Sequence, residues 1–191
     1  MKSLIALLFL VFAFNSCSSK FYSKKDYSFY NQNFELDKES LLKTNGIYVL
    51  DSVWSQSSTE IPMEKNIKKV CYIFYKTGQS NMIISEKEDD LDYKQFVLND
   101  FNRSKNNKNV GTLFQGYYKL KNNKIVIEKV NTSLRRFNYS YGYLENEKLI
   151  IVKPNSLQGE GNFEDKYFLD TYKEIYTFIP VEDLDSILPY W

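Results

Sequence analysis

The chain predicts a mainly β fold, an antiparallel meander of about eight strands closing as a barrel with one short helix. Three observations carry this expectation. Residues 111–130, GTLFQGYYKLKNNKIVIEKV, read as two strands around a tight turn at Lys121-Asn122-Asn123-Lys124, where Asn tolerates the positive φ of hairpins. Phe137, Tyr139, Tyr141 and Tyr143 alternate with Asn138, Ser140 and Gly142, the clearest period of two in the chain. Residues 69–76, KVCYIFYK, are apolar on both faces, as in a strand covered on both sides. An open meander leaves two unpaired edges, and closure removes them. A β-sandwich is the alternative.

Taken in order, residues 34–43 suggest a short helical turn, and Asn45-Gly46 a turn before a strand at 47–54. Residues 55–66 are polar, hold Pro62 and read as a loop. The strand at 69–76 leads through Thr77-Gly78 to a return arm at 80–85. Residues 86–92, EKEDDLD, place five acids in seven positions. They lack the Gly and distal Glu of an EF-hand calcium loop, so they read as a solvated turn that supplies negative charge to a helix N-terminus. Tyr93, Val97 and Phe101 then recur at helical spacing, which predicts a helix over 91–101. After the central hairpin come strands at 137–144 and 148–153, a long loop at 154–165, a strand at 167–171 and a stronger one at 174–180. A helical turn is expected within 182–188, with Tyr190 and Trp191 packing on the domain.

Composition excludes several function classes. Lys plus Arg number 25 and Asp plus Glu 24, so net charge gives no reason to expect nucleic acid. Histidine is absent, which removes His-based triads and His-ligated zinc or haem. No motif asks for a cofactor, and none is expected. Tyr (16) and Phe (14) are abundant, which fits either an aromatic-lined carbohydrate or lipid site or simply AT-rich coding. Of the two cysteines, Cys71 lies in an apolar strand and reads as a small core residue.

Residues 1–17, MKSLIALLFLVFAFNSC, join one Lys to an apolar run of 11 residues at 4–14. That run is too short to cross a bilayer as a helix and has the length of a signal-peptide core. With Asn15, Ser16 and Cys17 it resembles a bacterial lipoprotein signal of the relaxed Bacteroidetes kind, with Phe14 at the place usually held by Leu. The resemblance implies cleavage before Cys17 and its lipidation. It divides the chain into a signal at 1–16, a lipidated Cys and tether at 17–43, and one β-rich domain at 44–191. An ordinary secretory signal that leaves Cys17 in the mature chain is the alternative. Several acyl chains at ~0.8 kcal/mol per buried CH₂ would anchor the protein without a spanning helix. The expected location is the cell envelope, on a bacterial membrane, the outer one by preference. Lys20, Lys24 and Lys25 lie in the tether.

Over residues 44–180 the G-x-Y strands, the central GYYKLKNNKIVIE and the late YTF strand resemble small lipocalin-like lipoproteins of Bacteroidetes. The first-strand motif differs, with Gly46-Ile47-Tyr48 where lipocalins carry Trp two places after Gly. The resemblance implies a lipocalin-like barrel and a binding role without enzymatic chemistry. Phe137, Tyr139, Tyr141, Tyr143 and Tyr118 are the candidate lining of a cavity for a small apolar molecule or lipid. A plain aromatic core is the competing reading of the same stripe. Two further roles stay open: an accessory or structural protein that binds another envelope protein, and a carboxylate-based glycan hydrolase drawing on the long loop that holds Glu160, Glu164 and Asp165, where no motif fixes a partner for Glu160.

Overall fold

The computed structural model describes residues 23–56, 58–62, 69–85, 92–106, 114–131, 134, 136–156, 160–184, 187 and 189. Nine strands form one antiparallel sheet: β1 (Gly46–Ser55), β2 (Ser58–Pro62), β3 (Lys69–Phe74), β4 (Gln79–Ser85), β5 (Gln115–Lys121), β6 (Lys124–Asn131), β7 (Arg136–Glu145), β8 (Lys148–Ser156) and β9 (Tyr172–Pro180). Helix α1 (Tyr93–Asn106) lies between β4 and β5 in sequence. Strand order is β2-β1-β3-β4-β5-β6-β7-β8-β9, and β9 returns to pair with β1 from Gly46↔Pro180 to Ser55↔Tyr172. That pairing closes eight strands into a barrel and rules out the sandwich. β2 is a ninth strand outside the closed ring. It pairs only with the far half of β1, through Ser52, Val53 and Ser55, where a loop was expected.

The hairpins follow the turn chemistry of the sequence. Asn122 (φ 56°) turns β5 into β6, and Asn146 (φ 47°) with Glu147 (φ 63°) turns β7 into β8. Gly78 (φ 83°) is required twice: by its backbone, and because a Cβ there would meet the Phe34 ring at 2.8 Å. The expected strand at 167–171 is instead a 3-10 turn at Asp165–Tyr167 followed by further turns. The expected helical turn at 34–43 is not helical either, and this segment runs as an extended strap with turns.

Alternation divides each strand between the barrel interior and an outer layer. Inside are Tyr48, Tyr72, Phe74, Tyr118, Ile125, Ile127, Leu144, Leu149, Ile151, Tyr176 and Phe178. Outside, α1 lays Phe96 and Val97 over Ile47, Cys71, Ile73 and Ile83. Residues 69–76 are therefore apolar on both faces for a simple reason: one face fills the barrel and the other lies under a helix. Asp92 caps α1, its carboxylate accepting the Lys94 N–H at 2.9 Å. The acidic run at 86–91 lies outside the described residues, and so do Tyr190 and Trp191. No helix among the described residues is long and apolar enough to cross a membrane.

Packing begins well before the expected boundary at residue 44. Tyr27 and Phe29 are buried on the outer face of β5–β7, and Phe34, Leu36 and Leu42 pack against the interior cluster at one end of the barrel. Burying an aromatic such as Phe29 is worth about 2 kcal/mol, enough to hold a short strap that also makes hydrogen bonds. Of the expected tether, residues 23–43 form part of the folded body.

Candidate ligand-binding site

The two ends of the barrel differ. At the end reached by the strap, Tyr48, Phe74, Tyr118, Ile125, Leu144 and Leu149 are at most 2% exposed and Phe178 is 9% exposed, while Leu120 at the rim is half-buried. Phe34 meets Tyr118 edge-on at 5.3 Å, and the Lys43 N–H donates to the Tyr48 hydroxyl at 2.9 Å. At the opposite end, Leu50, Val70, Met82 and Ile84 also point inward by register, yet they are only half-buried. The rim at that end is apolar and half-buried, and the inward residues beneath it, Tyr72, Tyr176 and Lys129, are at most 7% exposed.

Among the described residues, two charged side chains point into this half. Lys129 of β6 is 7% exposed and donates from Nζ to the Tyr72 hydroxyl at 3.0 Å, with Nζ 5.4 Å from the Tyr72 ring centre. Gly116 faces Lys129 across the ladder, where a Cβ would lie 2.1 Å from the Glu128 carbonyl oxygen and 3.3 Å from Lys129 Cγ. Glycine thus leaves room for both the backbone and the lysine stem. On the β9 wall, Glu174 accepts hydrogen bonds from the Tyr172 hydroxyl at 2.8 Å and the Tyr176 hydroxyl at 2.9 Å. Burial raises the Tyr176 hydroxyl above its ordinary range, and nearby Tyr72 and Glu174 raise it further, so it stays a donor. Tyr72 and Tyr176 meet edge-to-face at 5.2 Å and link the two walls.

The aromatic stripe lies elsewhere. Phe137, Tyr139, Tyr141 and Tyr143 point outward, and Asn138, Ser140 and Gly142 face the interior. This corrects the expectation that the stripe lines the cavity. The reason is volume: large inward side chains from β1, β3, β5 and β9 take up most of the middle of the barrel, so β7 presents its small face to them. The stripe is covered by the strap and by the loop after β8. Tyr27 packs on Phe137 at 5.0 Å, Phe29 on Tyr139 at 5.6 Å, and Tyr167 stacks on Tyr141 at 4.7 Å. Tyr118 alone of the candidate lining points inward, but it sits in the half at the strap end and donates to the Tyr75 carbonyl at 2.8 Å. Cys17 lies outside the described residues.

The loop acids form surface contacts. The Asn162 amide joins Glu160 (3.2 Å) to Glu164 (2.5 Å), Glu164 pairs with Lys166, and Asp165 pairs with Lys124 at 2.6 Å. Hydrogen bonds from Lys166 and Lys124 hold Glu164 and Asp165 below the usual carboxylate range, opposite to what a general acid needs. A crevice of about 300 Å³ on the outer surface, between residues 152–154 and 166–172, contains Lys153 and Lys166, neither of them buried. Lys129 and Glu174 were not anticipated. Their signal in the sequence is a charge on the inward alternation of a strand: Lys129 in step with Ile125 and Ile127, Glu174 in step with Tyr176 and Phe178.

No protein family, curated protein or solved structure matches the chain.

Proposed function

We propose that the protein is a lipid-anchored lipoprotein of the bacterial cell envelope, of the Bacteroidetes type, that binds a small apolar or lipid-like molecule in its barrel without catalysing a reaction. The observation that carries the binding role is the asymmetry of the barrel. Inward apolar residues are buried at the strap end and half-buried at the opposite rim, which supports a cup closed at one end. The anchor rests on residues 1–17 as a lipoprotein signal ending at Cys17. Absence of histidine and the ion-paired loop acids support a binding protein over a hydrolase.

Native mass spectrometry of the full chain, with an organic extract of the same preparation, tests the binding role. A stoichiometric apolar guest is the expected result. A clean unliganded mass from cells that hold their normal lipids overturns it. For the anchor, Cys17→Ala is expected to move the protein from the membrane fraction to the soluble one, and retention in membranes argues against lipidation.

A further inference from the structure

We infer that the half of the barrel with the half-buried rim takes a singly charged anionic amphiphile of the fatty-acid kind, head group first, with Lys129 and Tyr72 as its anchor; this rests on the ligand-binding reading above. A lysine that is 7% exposed inside an apolar barrel carries a desolvation penalty that a counter-charge would normally offset. Among the described residues no carboxylate lies within ion-pair distance of Lys129 Nζ; its polar contact is the Tyr72 hydroxyl at 3.0 Å. Glu174, the other charge in this half, has both carboxylate oxygens engaged by Tyr172 and Tyr176.

Donor counting defines the missing group. The ammonium has three N–H donors and gives one to Tyr72. The Tyr72 oxygen accepts that bond, so its own O–H remains to be given. Asn138, opposite Lys129 on β7, and Ser80 also face this space, but both are neutral; the cluster has spare donors and one positive charge, and its complement is a carboxylate-like anion. Direction follows from packing. Phe74, Tyr118 and Tyr48 close the barrel beneath this cluster, so nothing extends deeper. On the side of the half-buried rim, Leu50, Val70, Met82 and Ile84 offer apolar walls to a hydrocarbon chain. The head group therefore rests on the floor and the tail points to the mouth.

The test uses the full chain held in phosphatidylcholine nanodiscs, with binding of radiolabelled dodecanoate and of dodecanol read against empty discs. The native protein is expected to prefer dodecanoate by about tenfold or more, the span of a charge-assisted hydrogen bond. Lys129→Met is expected to abolish the preference and leave dodecanol binding in place. Tyr72→Phe, which keeps the ring and removes the O–H, is expected to reduce the preference and guards against a Lys129 variant that does not fold. Equal binding of both probes, or a preference that survives in both variants, overturns the anion anchor while the cup stands. Binding of neither probe to the native protein overturns the anchor and the cup together.

Discussion

The Glu128 carboxylate, fully buried, accepts the Phe29 backbone N–H at 2.9 Å across 99 positions of sequence. The same carboxylate takes the Ser28 N–H at 3.1 Å, the Ser28 hydroxyl at 2.8 Å and the Tyr139 hydroxyl at 3.3 Å. One side chain therefore fixes the strap to the outer face of the barrel and orients the middle of the aromatic stripe. Its sequence neighbour Lys129 points the other way, into the cup. A single dipeptide on β6 addresses both faces of the sheet.

Glu128→Ala is expected to lower stability by about 3 kcal/mol, because it leaves backbone donors of the strap buried without an acceptor. The loss should be local before it is global. Proteolysis at Lys24 and Lys25 should accelerate, and amide exchange at Ser28 and Phe29 should rise ahead of exchange in β6. Glu128→Gln keeps one acceptor oxygen and should fall between. Native-like protection of residues 27–29 in the alanine variant would mean that apolar burial alone holds the strap.

Lys129→Met has the opposite sign. The substitution replaces an unpaired buried cation by a flexible apolar side chain of similar reach. Stability in the absence of ligand is expected to rise by about 1 kcal/mol, read as a higher urea midpoint. A comparable fall would show that the contacts with Tyr72 outweigh the desolvation of the ammonium. A gain in stability joined to a loss of anion binding is the pattern of a residue kept for function.

Alkaline pH should unfold the protein through its tyrosines. Burial pushes the hydroxyls of Tyr48, Tyr117 and Tyr141 from 10.0 up to about 12. Each holds its proton more tightly folded than unfolded, so its contribution is complete below pH 10.0 and is lost as pH rises through about 12. Thermal stability should be insensitive to these groups below that window and drop steeply within it. Tyrosinate absorbance from the buried set should appear together with unfolding. Reversible ionisation of all the tyrosines near pH 10.0 in a folded protein would contradict their burial.

Much of the fold was legible because hairpins are local. The turn at Asn122-Asn123 and the β-branched run at 125–130 fix pairings between adjacent segments. β2 was missed because its polar sequence, STEIP, carries no period and is paired only to one half of β1. The facing of the aromatic stripe was not legible. Alternation on β7 says that two faces differ, but which face is interior depends on how much volume β1, β3, β5 and β9 already supply. Nor could the strap be read as packed. Tyr27 and Phe29 in a polar stretch have no periodicity, and the partner that holds them lies about a hundred residues away on β6.

Counting thiols tests the core and the anchor in one experiment. Burial pushes the Cys71 thiol up to about 12, so very little thiolate exists near neutral pH, and the side chain lies beneath α1. Iodoacetamide is therefore expected to leave Cys71 unmodified in the native protein and to label it only under denaturant, at a rate set by unfolding. Cys17 is the second cysteine of the chain. A lipidated Cys17 has its sulfur in a thioether and its α-amine acylated, so denatured full chain from membranes should give one reactive thiol. Two reactive thiols would refute lipidation even if the protein sediments with membranes. Rapid native labelling mapped to Cys71 would instead require that α1 opens readily from β3 and β4.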